Sequence, residues 1–172
     1  MTKQRYSGFS LLEVMIALVI FSVGILGMAG LLMLSVRTNH SAYLRSQAGF
    51  LAQGMADRMR LNMPALWADS YNLAYPVTGT VPGCTAASPC TIGQIVTRDS
   101  VVWSNSLSQL LPAPTAQIGC ALNAGALTPT AAEIVDRAPF NGLCTVTITW
   151  SEASLNRDTP ANLQTFAWVF QP

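Results

Sequence analysis

The sequence predicts an α+β fold in which a long N-terminal helix packs on an antiparallel β-sheet head. The first half of this helix is apolar enough to be transmembrane, because residues 14–36 contain no charge. Farther along, apolar residues recur at helical spacing from Leu44 to Met63. Residues 143–150 and 163–170 alternate between apolar and polar side chains, as strands with one buried face do.

The uncharged segment is long enough to cross a bilayer. As a helix, residues 14–36 would span about 35 Å, against about 30 Å for the hydrocarbon core. Lys3 and Arg5 precede the segment, so the positive-inside rule predicts a single pass with the N-terminus in the cytoplasm. A secretory signal is disfavoured because its apolar region is shorter. A plain membrane anchor explains the segment but not Glu13, since an acid is costly in lipid.

Glu13 belongs to a short motif. Residues 8–13 read Gly-Phe-Ser-Leu-Leu-Glu, with two basic residues before them and the apolar segment after them. This arrangement resembles the processing motif of type IV prepilins and pseudopilins. The resemblance implies that a prepilin peptidase cuts between Gly8 and Phe9 and methylates the new amino group of Phe9. It also implies that the Glu13 carboxylate neutralises that amino group on a neighbouring subunit and so sets the axial register of the subunits. The alternative is that the Glu13 carboxylate only reaches the lipid headgroups.

Glycines interrupt the apolar segment at Gly24, Gly27 and Gly30. Each weakens a helix by about 1 kcal/mol relative to alanine. They are explained equally well by local melting of the helix in a filament and by close helix packing in the membrane, where glycine is common.

The helix is predicted to continue beyond the membrane to Met63 and to stop at Pro64. Its apolar stripe consists of Leu44, Ala48, Leu51, Met55, Met59 and Met63. The expected organisation is therefore a basic leader over 1–8 that is removed, a transmembrane or filament-core helix over 9–36, an amphipathic continuation over 37–63, and a globular periplasmic head over 64–172.

Within the head, residues 64–92 are predicted to form an irregular connector. A helix is expected from Asp99, which would cap its start, to Leu111, with Pro112 ending it. Strands are predicted over 143–150 and 163–170, joined as an antiparallel pair, with another over 133–137. Residues 113–142 match no recognisable pattern.

Four cysteines, Cys84, Cys90, Cys120 and Cys144, lie beyond the apolar segment. Export to an oxidising compartment would favour disulfides over unpaired core residues, and four cysteines permit three pairings. A Cys84–Cys90 bridge would staple a turn-like loop, and a Cys120–Cys144 bridge would tie the connector to the first clear strand. Their spacing disfavours zinc. No metal or other cofactor is expected.

A narrower resemblance, to the PilV-type minor pilins, rests on the helix containing Asp99, Trp103 and Leu107, the TVTITW strand and the aromatic C-terminal strand. It implies a minor subunit of the type IV pilus, in a priming or tip complex that supports twitching motility and adhesion. The implied partners are the prepilin peptidase, other minor pilins, the major pilin, the inner-membrane assembly platform and, before assembly, membrane lipid. The chain would reside in the inner membrane and then in the pilus at the cell surface.

Other functions remain open alternatives. One is a pseudopilin of a type II secretion or DNA-uptake system, and another is a membrane-anchored periplasmic enzyme or binding protein. Catalytic residues are not apparent, because the only histidine, His40, lies outside the head and no nucleophile–base set is recognisable. The net charge of +1 and the dispersed arginines predict no nucleic-acid partner.

Overall fold

The computed structural model describes residue 8 and residues 10–152 and 162–172. The chain divides into two compact units, Met1–Ala42 and Tyr43–Pro172. The helices and strands, in chain order, are α1 (Leu11–Leu61), α2 (Met63–Trp67), β1 (Ala74–Tyr75), α3 (Ile92–Leu110), β2 (Thr115–Leu122), α4 (Ala131–Val135), β3 (Gly142–Glu152) and β4 (Asn162–Phe170). A long apolar N-terminal helix followed by an antiparallel sheet confirms the predicted α+β fold.

The second unit is organised around the apolar stripe of α1. Leu44, Ala48, Leu51, Met55 and Met59 are all buried, as the helical spacing predicted. Ala52 and Ala56 widen this stripe, and both are fully buried. Small side chains on the same face let neighbouring elements approach the helix backbone closely.

The predicted end of the long helix was wrong by a few residues. α1 ends at Leu61, Met63 is only partly buried, and Pro64 lies in the first turn of α2 instead of stopping α1. Proline is well suited to that position because the first N–H groups of a helix have no intrahelical acceptor. The exposed carbonyl of Leu61 accepts a hydrogen bond of 2.8 Å from the Arg137 guanidinium, a cation suited to a helix C-terminus.

The helix α3 also begins earlier than predicted. Thr91 caps it through a reciprocal pair of hydrogen bonds with Gln94, a capping box that the sequence analysis overlooked. Asp99 is therefore not a cap: it lies inside the helix and is buried. The C-terminal end fits the prediction, because Leu111 is the C-cap and Pro112 follows it.

The sheet has four strands in the order β1-β2-β3-β4, all antiparallel. The predicted strands over 143–150 and 163–170 are present as β3 and β4, each slightly longer. On β3, Cys144, Val146, Ile148 and Trp150 are at most 2% exposed and form the centre of the core. Burial therefore alternates along β3 as predicted, because helices cover one face of the strand.

Three head segments differ from the predictions. Residues 133–137 are not a strand: α4 covers Ala131–Val135, because Thr130 and Glu133 form a capping box. The unassigned stretch 113–142 contains β2, which pairs with β3 along its whole length. The connector 64–92 is not wholly irregular, since it contains α2 and β1.

All four cysteines form disulfides, Cys84 with Cys90 and Cys120 with Cys144. Both disulfides are those predicted from the sequence. The first closes a short loop before α3. The second joins directly opposed residues of β2 and β3, so it crosslinks two strands of the sheet, whereas the sequence analysis placed Cys120 in a connector.

Gly142 is the glycine of the sheet at which an added side chain would clash. A Cβ atom there would collide with the carbonyl of Ala121 and with the ring of Phe140. We expect Gly142→Ala to lower the free energy of unfolding by about 1–3 kcal/mol, the usual range for overpacking, measured by urea denaturation of the purified full chain.

Gly119→Ala is the matched control for that experiment. Gly119 lies on the neighbouring strand β2, and a Cβ atom there would meet no atom within 4 Å. We expect the control to be neutral or slightly stabilising, because alanine restricts the unfolded chain. Equal stability of the two variants would contradict the packing described at Gly142.

Candidate processing and assembly segment

The motif of residues 8–13 lies at the point where the long helix begins. Gly8 and Ser10 have no regular secondary structure and are exposed, whereas Phe9 is outside the described residues. The carbonyl of Ser10 accepts hydrogen bonds from the backbone N–H groups of Glu13 (3.1 Å) and Val14 (3.3 Å). The second of these bonds has the spacing of an α-helix, so the helix starts directly after Ser10.

Glu13 lies in the first turn of α1 and is exposed. A carboxylate suits this position because the N-terminal end of a helix carries partial positive charge. Among the described residues, no side chain forms a hydrogen bond or ion pair with the Glu13 carboxylate in this structure. The described part of the chain therefore leaves this charge available to another molecule.

The apolar part of α1 is exposed around its whole circumference. From Leu11 to Val36, each large apolar side chain is between 49% and 79% exposed. An 18-residue window of the helix has a mean hydropathy of 2.5, and none of that window is buried within the chain. In water such a surface would be strongly unfavourable. One apolar helix of this kind fits a single-pass membrane anchor.

The polar and small residues of this segment are compatible with lipid or with close helix packing. The hydroxyl of Ser22 donates to the carbonyl of Val19 at 2.8 Å, so it needs no outside partner. A Cβ atom at Gly24, Gly27 or Gly30 would meet no atom within 4 Å. No contact within the described chain therefore requires these glycines.

Comparison with known proteins identifies the same segment. Residues 3–29 match the family model described as the prokaryotic N-terminal methylation motif. The motif indicates a type IV pilin-like or pseudopilin protein. No curated protein and no solved structure matches the chain significantly.

The motif carries implications for processing and assembly. Proteins of the pilin-like family are typically structural and not catalytic, and the motif implies processing by a prepilin peptidase and assembly with other pilins. The matched residues include Gly8, Phe9 and Glu13, together with Gly24 and Gly27 of the apolar segment. The candidate processing and assembly site is thus a single continuous segment.

The head contains a buried polar cluster that the sequence analysis did not identify. The guanidinium of Arg58 on α1 forms an ion pair of 3.2 Å with Asp99 on α3. The hydroxyl of Tyr71 donates to the other oxygen of Asp99 at 2.9 Å, and Asn62 donates to the Tyr71 hydroxyl at 3.3 Å. The available signal in the sequence was Asp99 itself, which lies between Val96 and Trp103 at helical spacing, since a buried acid needs a polar partner.

This cluster joins α1, α3 and the segment that follows α2, without offering an evident reactive group. Trp103, beside the cluster on α3, donates from its indole N–H to the carbonyl of Leu51 at 2.9 Å. A groove of about 150 Å³ between α1 and α3 is lined by apolar side chains with Gln47, Arg58 and Ser106. Within the described residues, no three His, Cys, Asp or Glu side chains are grouped so as to hold a metal ion.

Burial changes the acidity of the two tyrosines near this cluster. Desolvation raises the pKa of Tyr71 well above its ordinary value, and the hydrogen bond and negative charge of Asp99 act in the same direction. The bond from Asn62 opposes this shift in the pKa of Tyr71. Desolvation likewise raises the pKa of Tyr75, with the hydrogen bond to Ser100 opposing it.

These shifts predict a loss of stability at high pH. A phenol whose pKa is raised by folding contributes its full stabilisation below the unfolded pKa of about 10, and loses it as pH rises toward the folded pKa. We expect the urea midpoint to be constant between about pH 8 and 9.5 and to fall above about pH 10.

Tyr75→Phe tests the assignment of this effect, since it removes one buried phenol and keeps the ring that contacts Trp103 at 4.8 Å. We expect the variant to lose stability less steeply above about pH 10. A midpoint of the wild type that does not change up to about pH 11 would contradict the assignment.

Proposed function

We propose that this protein is a minor pilin subunit of the type IV pilus. In this proposal it is a single-pass protein of the inner membrane, with its N-terminus in the cytoplasm and its head in the periplasm, until it enters the pilus. The observation that carries the proposal is the coincidence of the methylation motif with a helix whose apolar side chains are left about half exposed or more by the described part of the chain. Such a helix needs lipid before assembly and other subunits afterwards.

The processing step acts at the peptide bond between Gly8 and Phe9. Hydrolysis by the prepilin peptidase consumes one water, releases the segment 1–8 with a new carboxylate on Gly8 and leaves a free amino group on Phe9. A methyl donor bound by the peptidase then transfers one methyl group to this nitrogen, which gives up a proton in exchange. Gly8 is exposed and lies outside the helix. A glycine with no side chain lets the backbone approach a protease closely.

The role of Glu13 follows from the charge that cleavage creates. The amino group of Phe9 is positive, and it enters a filament core from which water is largely excluded. There, an opposite charge attracts it much more strongly than in water, while an unpaired charge is costly. Glu13, which has no partner among the described residues, supplies that opposite charge on a neighbouring subunit and thereby sets the axial register.

The head would determine which neighbours this subunit accepts. The two disulfides and the ion pair between α1 and α3 keep its shape fixed. In the proposal, the head contacts other minor pilins and the major pilin in a priming or tip complex, built by the inner-membrane assembly platform. Twitching motility and adhesion depend on the pili that this complex initiates.

Processing is tested by the intact mass of the chain extracted from membranes. In cells with the prepilin peptidase, we expect a mass lower by residues 1–8 and higher by one methylene, about 14 Da. In cells without the peptidase, we expect the full-length, unmethylated mass. The same full-length mass in both strains would mean a plain membrane anchor and would overturn the proposal.

The register function is tested by Glu13→Ala. We expect the variant to be cut normally but to appear in sheared surface pili at less than about one tenth of the wild-type level, because an unpaired ammonium would remain in the core. Quantitative immunoblots of sheared pili and of membranes give both values. Ser10→Ala, a change in the same motif without loss of charge, is the control and should assemble normally.

Normal incorporation of Glu13→Ala would exclude the register function while leaving cleavage intact. Absence of the wild-type chain from sheared pili, with normal cleavage, would instead count against a pilus subunit and for a secretion or DNA-uptake pseudopilin.

A further inference from the structure

One asparagine of the chain is followed directly by glycine. Asn141 precedes Gly142, and no other asparagine in the sequence has a glycine after it. The side-chain amide of an asparagine can be attacked by the backbone nitrogen of the next residue, which closes a five-membered succinimide ring. Glycine favours this ring closure, because it has no Cβ atom to crowd the attacking nitrogen. Whether the reaction can proceed in the folded head depends on the surroundings of these two residues.

The two reacting groups lie at the start of the strand β3. Asn141 belongs to the irregular segment after α4 and is exposed, so that water reaches its side chain and ammonia can leave. Gly142 is the first residue of β3 and is buried against the carbonyl of Ala121 and the ring of Phe140. The amide that is attacked is therefore in solvent, while the attacking nitrogen is held beside it by packing.

The N–H of Gly142 takes no part in the ladder between β2 and β3. The N–H of Asn123 donates to the carbonyl of Asn141 at 3.0 Å, so these residues form a hydrogen-bonded pair. Hydrogen-bonded and non-hydrogen-bonded pairs alternate along antiparallel strands, which makes Leu122 and Gly142 a non-hydrogen-bonded pair. On the other side of β3, pairing with β4 begins only at Cys144. Within the described residues, the Gly142 N–H has no hydrogen-bond acceptor.

This unpaired N–H removes the protection that a strand or helix normally gives. Ring closure converts a backbone N–H into an imide nitrogen without hydrogen, so at most such positions it would break a hydrogen bond worth about 1 kcal/mol. At Gly142 no such bond is lost. Asn105 is the contrasting case, because the residue after it, Ser106, lies inside α3, where backbone N–H groups are bonded to carbonyls one turn earlier.

A second side chain favours the attack on Asn141. The amide of Asn123 donates a hydrogen bond of 3.0 Å to the Oδ1 atom of Asn141. When the nitrogen of Gly142 adds to Cγ of Asn141, negative charge develops on this Oδ1 atom. A donor that is already in place stabilises this charge, as the donors of an oxyanion hole do. The bond between the backbones of Asn123 and Asn141 keeps the donor in position.

We propose that Asn141 and Gly142 form a self-modification site in the folded head, with Asn123 as its activating residue. Hydroxide removes the proton from the nitrogen of Gly142, and this nitrogen forms a bond to Cγ of Asn141. The bond from Cγ to Nδ2 breaks, and ammonia leaves with a proton taken from water. One water then opens the ring. Cleavage at Cγ gives aspartate, and cleavage at the backbone carbonyl gives isoaspartate.

The two products affect the sheet differently. Aspartate keeps the backbone length, and its carboxylate still accepts from the Asn123 amide. Isoaspartate carries the chain through the side chain and adds one methylene to the backbone just before Gly142. Because Gly142 is confined by Ala121 and Phe140, the extra length displaces the carbonyl of residue 141 and breaks its bond to Asn123. The reaction needs only the folded head and water, so it is independent of the proposed pilus function.

Peptide mapping of the purified full chain, aged in detergent at mildly alkaline pH, measures the reaction. We expect the peptide that contains Asn141 to gain about 1 Da and to separate into two products. Protein isoaspartate methyltransferase, which labels isoaspartate and not aspartate, identifies them. The peptide that contains Asn105 is the internal control and should keep its mass.

The same chain aged in urea shows what the fold contributes. A mass gain at Asn141 in urea but not in the folded chain would show that the fold protects the site, and would overturn the proposal. No gain at Asn141 in either condition would overturn it as well.

The role of Asn123 is tested by two variants. We expect Asn123→Ala to slow the modification of Asn141 at least about threefold, because the developing charge loses its donor. Asn123→Asp, which keeps the size of the side chain, should slow it at least as much. Both changes retain the backbone bond to Asn141, and the urea midpoint of each variant shows whether it folds. An unchanged or higher rate in both variants would exclude Asn123 as the activating residue.

Hydrogen exchange tests the predicted effect of isoaspartate on the sheet. We expect the amide of Asn123 to exchange faster in the isoaspartate fraction than in the unmodified chain. Asn141→Asp is the matched control, because it adds the same charge without lengthening the backbone, and its Asn123 amide should exchange as in the wild type. Equal exchange in the isoaspartate fraction and in Asn141→Asp would contradict the predicted displacement.

Discussion

The helix α1 carries apolar surface that has to be covered in two different ways. Between Leu44 and Met59, the stripe is covered by the sheet and by α3 within the same chain. Between Leu11 and Val36, large apolar side chains on every face remain about half exposed or more. At roughly 25 cal/mol per Å² of apolar surface, that exposure is a large unfavourable free energy in water. Lipid or other protein chains must remove it, and the proposed life cycle supplies both.

The covered part of α1 is fixed by polar contacts as well as by packing. Trp103 donates to the carbonyl of Leu51, and Arg137 donates to the carbonyl of Leu61 at the end of the helix. Arg58 and Asp99 add an ion pair whose carboxylate is mostly buried. These contacts order the head around α1.

The apolar part of α1 and the edge strand β4 both carry groups that the described chain leaves uncovered. On the helix, the uncovered groups are apolar side chains; on β4, they are backbone donors and acceptors beside half-covered aromatic rings. Residues 14–36 of the helix and the strand β4 contain no charge, so neither is protected against association. A subunit that assembles with other chains has reason to retain such surfaces.

Sequence by itself determined the α+β class, the apolar helix, the processing motif and the strands β3 and β4. These are local features: a run without charges, a fixed spacing around Gly8 and Glu13, and an alternation of side chains that one covered face imposes. The two disulfides, which together are one of the three arrangements open to four cysteines, were predicted correctly, although the strand that carries Cys120 was missed.

The tertiary structure decided what local patterns leave ambiguous. Asp99 resembled a helix cap in sequence, but its partners Arg58 and Tyr71 are distant along the chain and lie close only after folding. β2 has no clear alternation, because Gly119 and Cys120 interrupt it, and pairing with β3 makes it a strand. The Cys120–Cys144 disulfide likewise depends on the register of β2 against β3, which no single segment contains.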